Sequence, residues 1–140
     1  MSEEQTQQLV YQMQMLENLF AELTQKENSI IHIIREANSA IHSIKGTQTQ
    51  SESESLVPIG MGAFIRSRIN SKEKIIVNIG SGVAIAKNHD DAINYLESRL
   101  KELEIALQET NQQRQQIAAN IEQGKQQMQN FMQQSQNPKK

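Results

Sequence analysis

Residues 56–87 read Leu-Val-Pro-Ile-Gly-Met-Gly-Ala-Phe-Ile-Arg-Ser-Arg-Ile-Asn-Ser-Lys-Glu-Lys-Ile-Ile-Val-Asn-Ile-Gly-Ser-Gly-Val-Ala-Ile-Ala-Lys. The run Leu56–Ile59 meets the turn signal Gly60-Met61-Gly62 and continues as Ala63–Ile69. Asn70-Ser71-Lys72-Glu73 is a polar turn. Lys74–Ile79 is rich in β-branched residues, with Ile75, Val77 and Ile79 on one face, and Gly80-Ser81-Gly82 turns the chain into Val83–Lys87. These signals predict four short strands in two hairpins. Pro58 fits a strand start or an edge. So small a unit cannot bury both its faces, so its edges and apolar residues call for partners, equivalent hairpins of other subunits foremost. The assembly candidates are Val57, Ile59, Phe64, Ile75, Val77, Ile79, Val83 and Ile85. Upstream, Thr47–Ser55 reads as a polar, disordered loop.

Both flanks are helical. Residues 3–45 hold no Gly or Pro, and residues 88–136 hold only Gly124. Alternating steps of four and three from Leu9 reach Met13, Leu16, Phe20, Leu23, Glu27, Ile30, Ile34, Ala37, Ile41 and Ile44, all apolar but Glu27. That is a heptad seam. The second flank carries Ile93, Leu96, Leu100, Leu103, Leu107, Thr110, Arg114, Ile117, Ile121, Gly124, Met128 and Phe131. Ser2 with Gln5 can form a capping box, and Asn88 with Asp91 imitates one. Lys45-Gly46 reads as the stop of the first helix. An antiparallel pairing that sets Ile44 opposite Ile93 sets Ile34 opposite Leu103, Ile30 opposite Leu107 and Glu27 opposite Thr110. Arg114, one layer further, can reach Glu27. A polar layer of this kind pins register.

The fold class is therefore α+β. A long antiparallel helical coiled-coil hairpin carries two β-hairpins between its helices, and these call for equivalent hairpins of other subunits. Residues 1–140 make one subunit, with helices at 3–45 and 88–136, the loop and hairpins at 46–87, and a frayed tail at 137–140. Composition agrees. The chain has 140 residues, 36% hydrophobic, with no Cys or Trp and a net charge of −2, too apolar-poor for a large compact core. Twenty Gln suit solvated helix faces.

Several functions are excluded. Without Cys there is no disulfide framework, thiol nucleophile or Cys-ligated zinc. His32, His42 and His89 lack metal-ligand spacing. Asp90 and Asp91 are first-turn helix charges. Gly80-Ser81-Gly82 lacks the Lys and Ser or Thr of a phosphate-binding loop. No cofactor and no catalytic residue is expected, so the chain is not an enzyme. The longest apolar run, Val83–Ala86, spans no membrane, and Met1-Ser2-Glu3-Glu4 opens no signal peptide. Arg66, Arg68, Lys72 and Lys74 cluster on one hairpin, but the overall acidity makes them edge protection rather than a nucleic-acid site.

The helix ends away from the hairpins are richer in signal. Val10, Tyr11, Met15 and Leu19 lie off the seam, beside Leu9, Met13, Leu16 and Phe20, and Met128, Phe131 and Met132 cluster near the other end. Flexible, polarizable Met suits a surface that adapts to varied partners. Ordinary coiled-coil packing accounts for the seam members equally well.

The order helix, two hairpins, helix, together with Leu56-Val57-Pro58-Ile59-Gly60, Lys74-Ile75-Ile76-Val77-Asn78-Ile79-Gly80-Ser81-Gly82-Val83 and Asp91-Ala92-Ile93-Asn94-Tyr95-Leu96, resembles the alpha class of archaeal prefoldin subunits. The resemblance covers nearly the whole chain. It implies a cytoplasmic, ATP-independent chaperone in which two alpha and four beta subunits share a β-barrel platform. Coiled-coil tips would hold unfolded polypeptide and pass it to a group II chaperonin. The client-contact candidates are then Leu9, Met13, Leu16, Leu19, Phe20, Met128, Phe131 and Met132. The Gln-rich second helix departs from the family. The competing reading is a structural coiled-coil scaffold or adaptor without chaperone activity; exposed apolar tips would separate the two.

Overall fold

The computed structural model describes residues 2–136, with side chains up to residue 134. The elements are α1 (Glu3–Gln48), β1 (Glu52–Gly60), β2 (Ala63–Asn70), β3 (Ile75–Gly80), β4 (Val83–Lys87) and α2 (His89–Gln136). Two long helices with two antiparallel hairpins between them are the expected α+β fold. The frayed tail expected at 137–140 lies outside the described residues.

The helix starts form as their residues dictate. Ser2 Oγ accepts from the Gln5 backbone N–H at 3.3 Å, and Gln5 Oε1 accepts from the Ser2 N–H at 3.4 Å. That is a complete capping box. At α2, Asn88 Oδ1 accepts from the Asp91 N–H at 2.8 Å. The end of α1 differs from expectation. Gly46 keeps a negative φ and lies inside the helix, which runs on to Gln48. Hydroxyls satisfy the last carbonyls instead: Thr47 Oγ1 donates to Ile44 O at 2.7 Å, and Thr49 Oγ1 donates to Gly46 O at 2.8 Å. The polar stretch after it is no disordered loop. Residues 49–51 connect α1 to β1, whose first residues Glu52–Ser55 pair with Ser67–Asn70.

The chain divides into two compact units. The first runs from Ile33 to Leu103 and holds both hairpins. Its core is Ile41, Ile44, Val77, Ala92 and Ile93, flanked by Ile75, Tyr95, Leu96 and Leu100. β1 pairs with β2 and β3 with β4, as two separate two-stranded sheets. Each turn closes through two residues of positive φ, Met61 (52°) with Gly62 (77°) and Ser81 (53°) with Gly82 (75°). Positive φ at both central positions is the type I′ arrangement, whose twist matches that of the strands.

The second unit takes in the chain up to His32 and the chain from Glu104. Here α1 and α2 face each other in opposite directions: Glu27 meets Arg114, while Met13 meets Gly124. Every seam position read from the sequence between Leu9 and Ile30, and between Leu107 and Phe131, is buried or half-buried. The polar layer has its own chemistry. Thr110, 1% exposed, donates its hydroxyl to Ala106 O at 2.7 Å, so its burial leaves no orphaned donor. Glu27 Oε2 lies 3.1 Å from Arg114 Nε without an acceptable hydrogen-bond angle, so their attraction is Coulombic. The Arg114 guanidinium also stands over the Phe20 ring, 5.8 Å from its centroid.

Candidate interaction surfaces

The hairpins expose most of their apolar side chains. Of the assembly candidates, Val57, Ile59, Phe64, Ile79, Val83 and Ile85 are open to solvent. Ile75 and Val77 instead turn into their own unit's core. Sequence reasoning passed over Leu56, Met61, Ile65 and Ile76, all exposed; Ile76 is 74% exposed. Strand alternation carries the missing signal. Once Ile75 and Val77 point inward, Ile76 must point outward. Each strand also leaves one edge without a partner within its two-stranded sheet. Open edges beside exposed Ile, Val and Phe are a template for further strands. An open groove in the same unit, lined by Ile33, Ala37, Ala40, Ile76, Ile79 and Tyr95 among others, continues the apolar surface onto the helices.

Within the basic cluster, two arginines lie beside an acid. Arg66 Nε lies 3.8 Å from Glu54 Oε1, both well exposed, and Arg68 is registered opposite Glu54. Exposed pairs of this type contribute at most about 1 kcal/mol. Here they alternate charge along one face of the hairpin.

In the other unit, the eight client-contact candidates fall into three groups. Leu19 and Met132 are exposed, Met132 at 63%. Leu9, Leu16, Phe20, Met128 and Phe131 are half-buried along the seam. Met13 is buried, at 7%. The off-seam residues Val10, Tyr11 and Met15 are exposed, Tyr11 at 64% and Met15 at 55%. Tyr11, Met15 and Leu19 recur every four residues, so they share one outward strip of α1. Glutamines frame this region: one shallow groove is lined by Leu9 and Phe131 together with Gln5, Gln12, Gln127 and Gln134, among others.

Among the described residues, no group of three or more His, Cys, Asp or Glu is placed to hold a metal ion. No described helix is long and apolar enough to cross a membrane.

Known proteins share this arrangement. The family model described as "Prefoldin subunit" matches residues 12–134. The chain is 51% identical to "Prefoldin subunit alpha" of Nitrosopumilus maritimus over 95% of its own length and 92% of the relative's. It is 34% identical to "Prefoldin subunit alpha 1" of Thermococcus kodakarensis over 69% of its length and 66% of the relative's. Among solved structures, that of filamentous PFD from Methanocaldococcus jannaschii superposes with a TM-score of 0.68, at 19% identity, over 84% of this chain and 95% of that one. Caps, seam, twin hairpins and these matches converge, and the chain belongs to the prefoldin subunit family, beside its alpha subunits.

Proposed function

We propose that this chain is a subunit of a cytoplasmic, ATP-independent, non-enzymatic chaperone that captures unfolded polypeptides and hands them to a group II chaperonin. The observation that carries the reading is the outward strip Tyr11, Met15 and Leu19, with Met132 on the other helix. A scaffold that only paired its helices would need no such side chains pointing away from the seam. Each apolar residue buried by a client contributes up to about 1.5–3 kcal/mol before ordering costs. Capture is therefore weak at one subunit and gains strength from several subunits acting together.

The hairpins supply that multiplicity. Their exposed apolar residues and free edges fit a shared platform with beta-class subunits, two alpha to four beta. The test is suppression of aggregation of a chemically unfolded protein by the isolated native assembly. Replacing Tyr11, Met15, Leu19 and Met132 together by Ser is expected to abolish suppression and leave native mass unchanged. Undiminished suppression by that variant would sink the reading. A native mass corresponding to a homodimer would favour the scaffold.

A further inference from the structure

Gly124 is buried on the seam of α2. A Cβ built there would collide with the thioether sulfur of Met13 and come within 3.2 Å of its terminal methyl. The Met13 side chain thus occupies the volume that any other residue at 124 would claim. Glycine is a poor helix former, and Gly124 is the only one in α2. It stands where the facing helix needs the space. The layers around this contact are only half-buried: Leu9, Leu16, Phe20, Met128 and Phe131 all retain some exposure. Further along, Arg114 bridges the helices by meeting both Phe20 and Glu27.

We propose that the Met13–Gly124 contact is a clasp that sets how far the chain-terminal ends of α1 and α2 part. It thereby gates access of unfolded polypeptide to the seam residues Leu9, Leu16, Phe20, Met128 and Phe131. The gating clause rests on the client-capture reading; the clasp itself does not. The physical argument is one of shape. Met has three rotatable bonds, so it can leave the notch by changing rotamer, without breaking the backbone. Once it leaves, no side chain at 124 fills the gap. The Arg114 bridge is then the next tie holding the helices, so it bounds the opening. A seam that opens this way alternates between a self-paired surface and one offered to a client.

The chain has no Cys, so Cys introduced at exposed Gln8 and Asn130, which line one groove, carry one pair of spin labels per chain, and assembly with an excess of unlabelled chain leaves a single labelled copy in each complex. The experiment measures the distance distribution between them by pulsed electron paramagnetic resonance, in the full chain within its native assembly. The parent should give one narrow distribution. Gly124→Ala should broaden it towards longer distances and raise capture of an unfolded protein severalfold. Met13→Ala alone, which empties the notch without filling it, should broaden the distribution likewise. Ala improves helix propensity at 124, and far-UV circular dichroism confirms that helix content is kept. An unchanged distribution in Gly124→Ala or in Met13→Ala would overturn the clasp. Broadened distances with unchanged capture would overturn the gating and leave the clasp standing.

Discussion

Residues 56–66 of hairpin β1–β2 and residues 76–86 of hairpin β3–β4 are offset copies, twenty positions apart. Val57 corresponds to Val77, Ile59 to Ile79, Gly60 to Gly80, Gly62 to Gly82 and Ile65 to Ile85. Pairing follows suit: Val57 faces Ile65 and Val77 faces Ile85, and both ladders shift register just before the turn. Yet Val77 is buried and Val57 is exposed. The same local instructions give the same hairpin twice, but they do not decide what covers it. Hairpin β3–β4 lies against Ile41, Ile44, Ala92 and Ile93 of its own chain. Hairpin β1–β2 contributes no buried residue, and a lone two-stranded ribbon is marginal in water. One copy is anchored within the chain, and the equivalent face of the other stays open to solvent.

The largest test of this contrast is an acidic residue at each of the corresponding valines. Val77→Asp places a charge without a partner in the core. It is expected to cost at least about 3 kcal/mol in denaturant unfolding of the chain. Hydrogen exchange in β3 and β4 should then rise to the level found in β1 and β2. Val57→Asp should change the chain's own stability by no more than about 0.5 kcal/mol, while lowering the native mass of the assembly. Equal destabilisation by both would erase the distinction between the hairpins.

That distinction also marks the limit of what the sequence made legible. Periodicity located both helices and the polar layer because a seam is a local pattern: Glu27 and Arg114 do meet, as their spacing required. Turn chemistry located both hairpins for the same reason. Which hairpin is covered was not legible, since Val57, Ile59 and Ile65 carry the same alternation as Val77, Ile79 and Ile85, and only Val77 is buried. The helix end was misjudged at Gly46 because the sequence signal for a stop is also compatible with helix. The hydroxyls of Thr47 and Thr49, each donating to the carbonyl three residues earlier, supply the cap instead. At the chain ends, seam spacing identified Leu9, Leu16, Phe20, Met128 and Phe131, but spacing alone could not say that the outward strip of Tyr11 and Met15 is the more exposed.

A middle-sized effect should be the same in both hairpins. Gly62 and Gly82 hold φ of 77° and 75°, and an added Cβ at either would meet nothing within 4 Å. Only the backbone resists substitution there. Gly62→Ala and Gly82→Ala should each cost about 1–2 kcal/mol, read as the loss of hairpin amide protection. A much larger loss at Gly82 would mean that docking on the helices, rather than the turn, sets the strain.

The smallest effect has the opposite sign. Met61 and Ser81 are the non-glycine residues that hold positive φ among the described ones, and neither side chain type favours that region. Asn tolerates it and forms, with the following Gly, the preferred pair for this turn. Met61→Asn and Ser81→Asn should each stabilise their hairpin by a few tenths of a kcal/mol, up to about 0.5. The gain should be plainer for Met61→Asn, because hairpin β1–β2 has no buried anchor to mask a change in its turn. Amide exchange in β1 and β2 of the isolated chain reads it directly. If the gain appeared at Ser81 and not at Met61, the turn would be limiting in the anchored hairpin, and the order of dependence argued from Val77 and Val57 would have to be reversed.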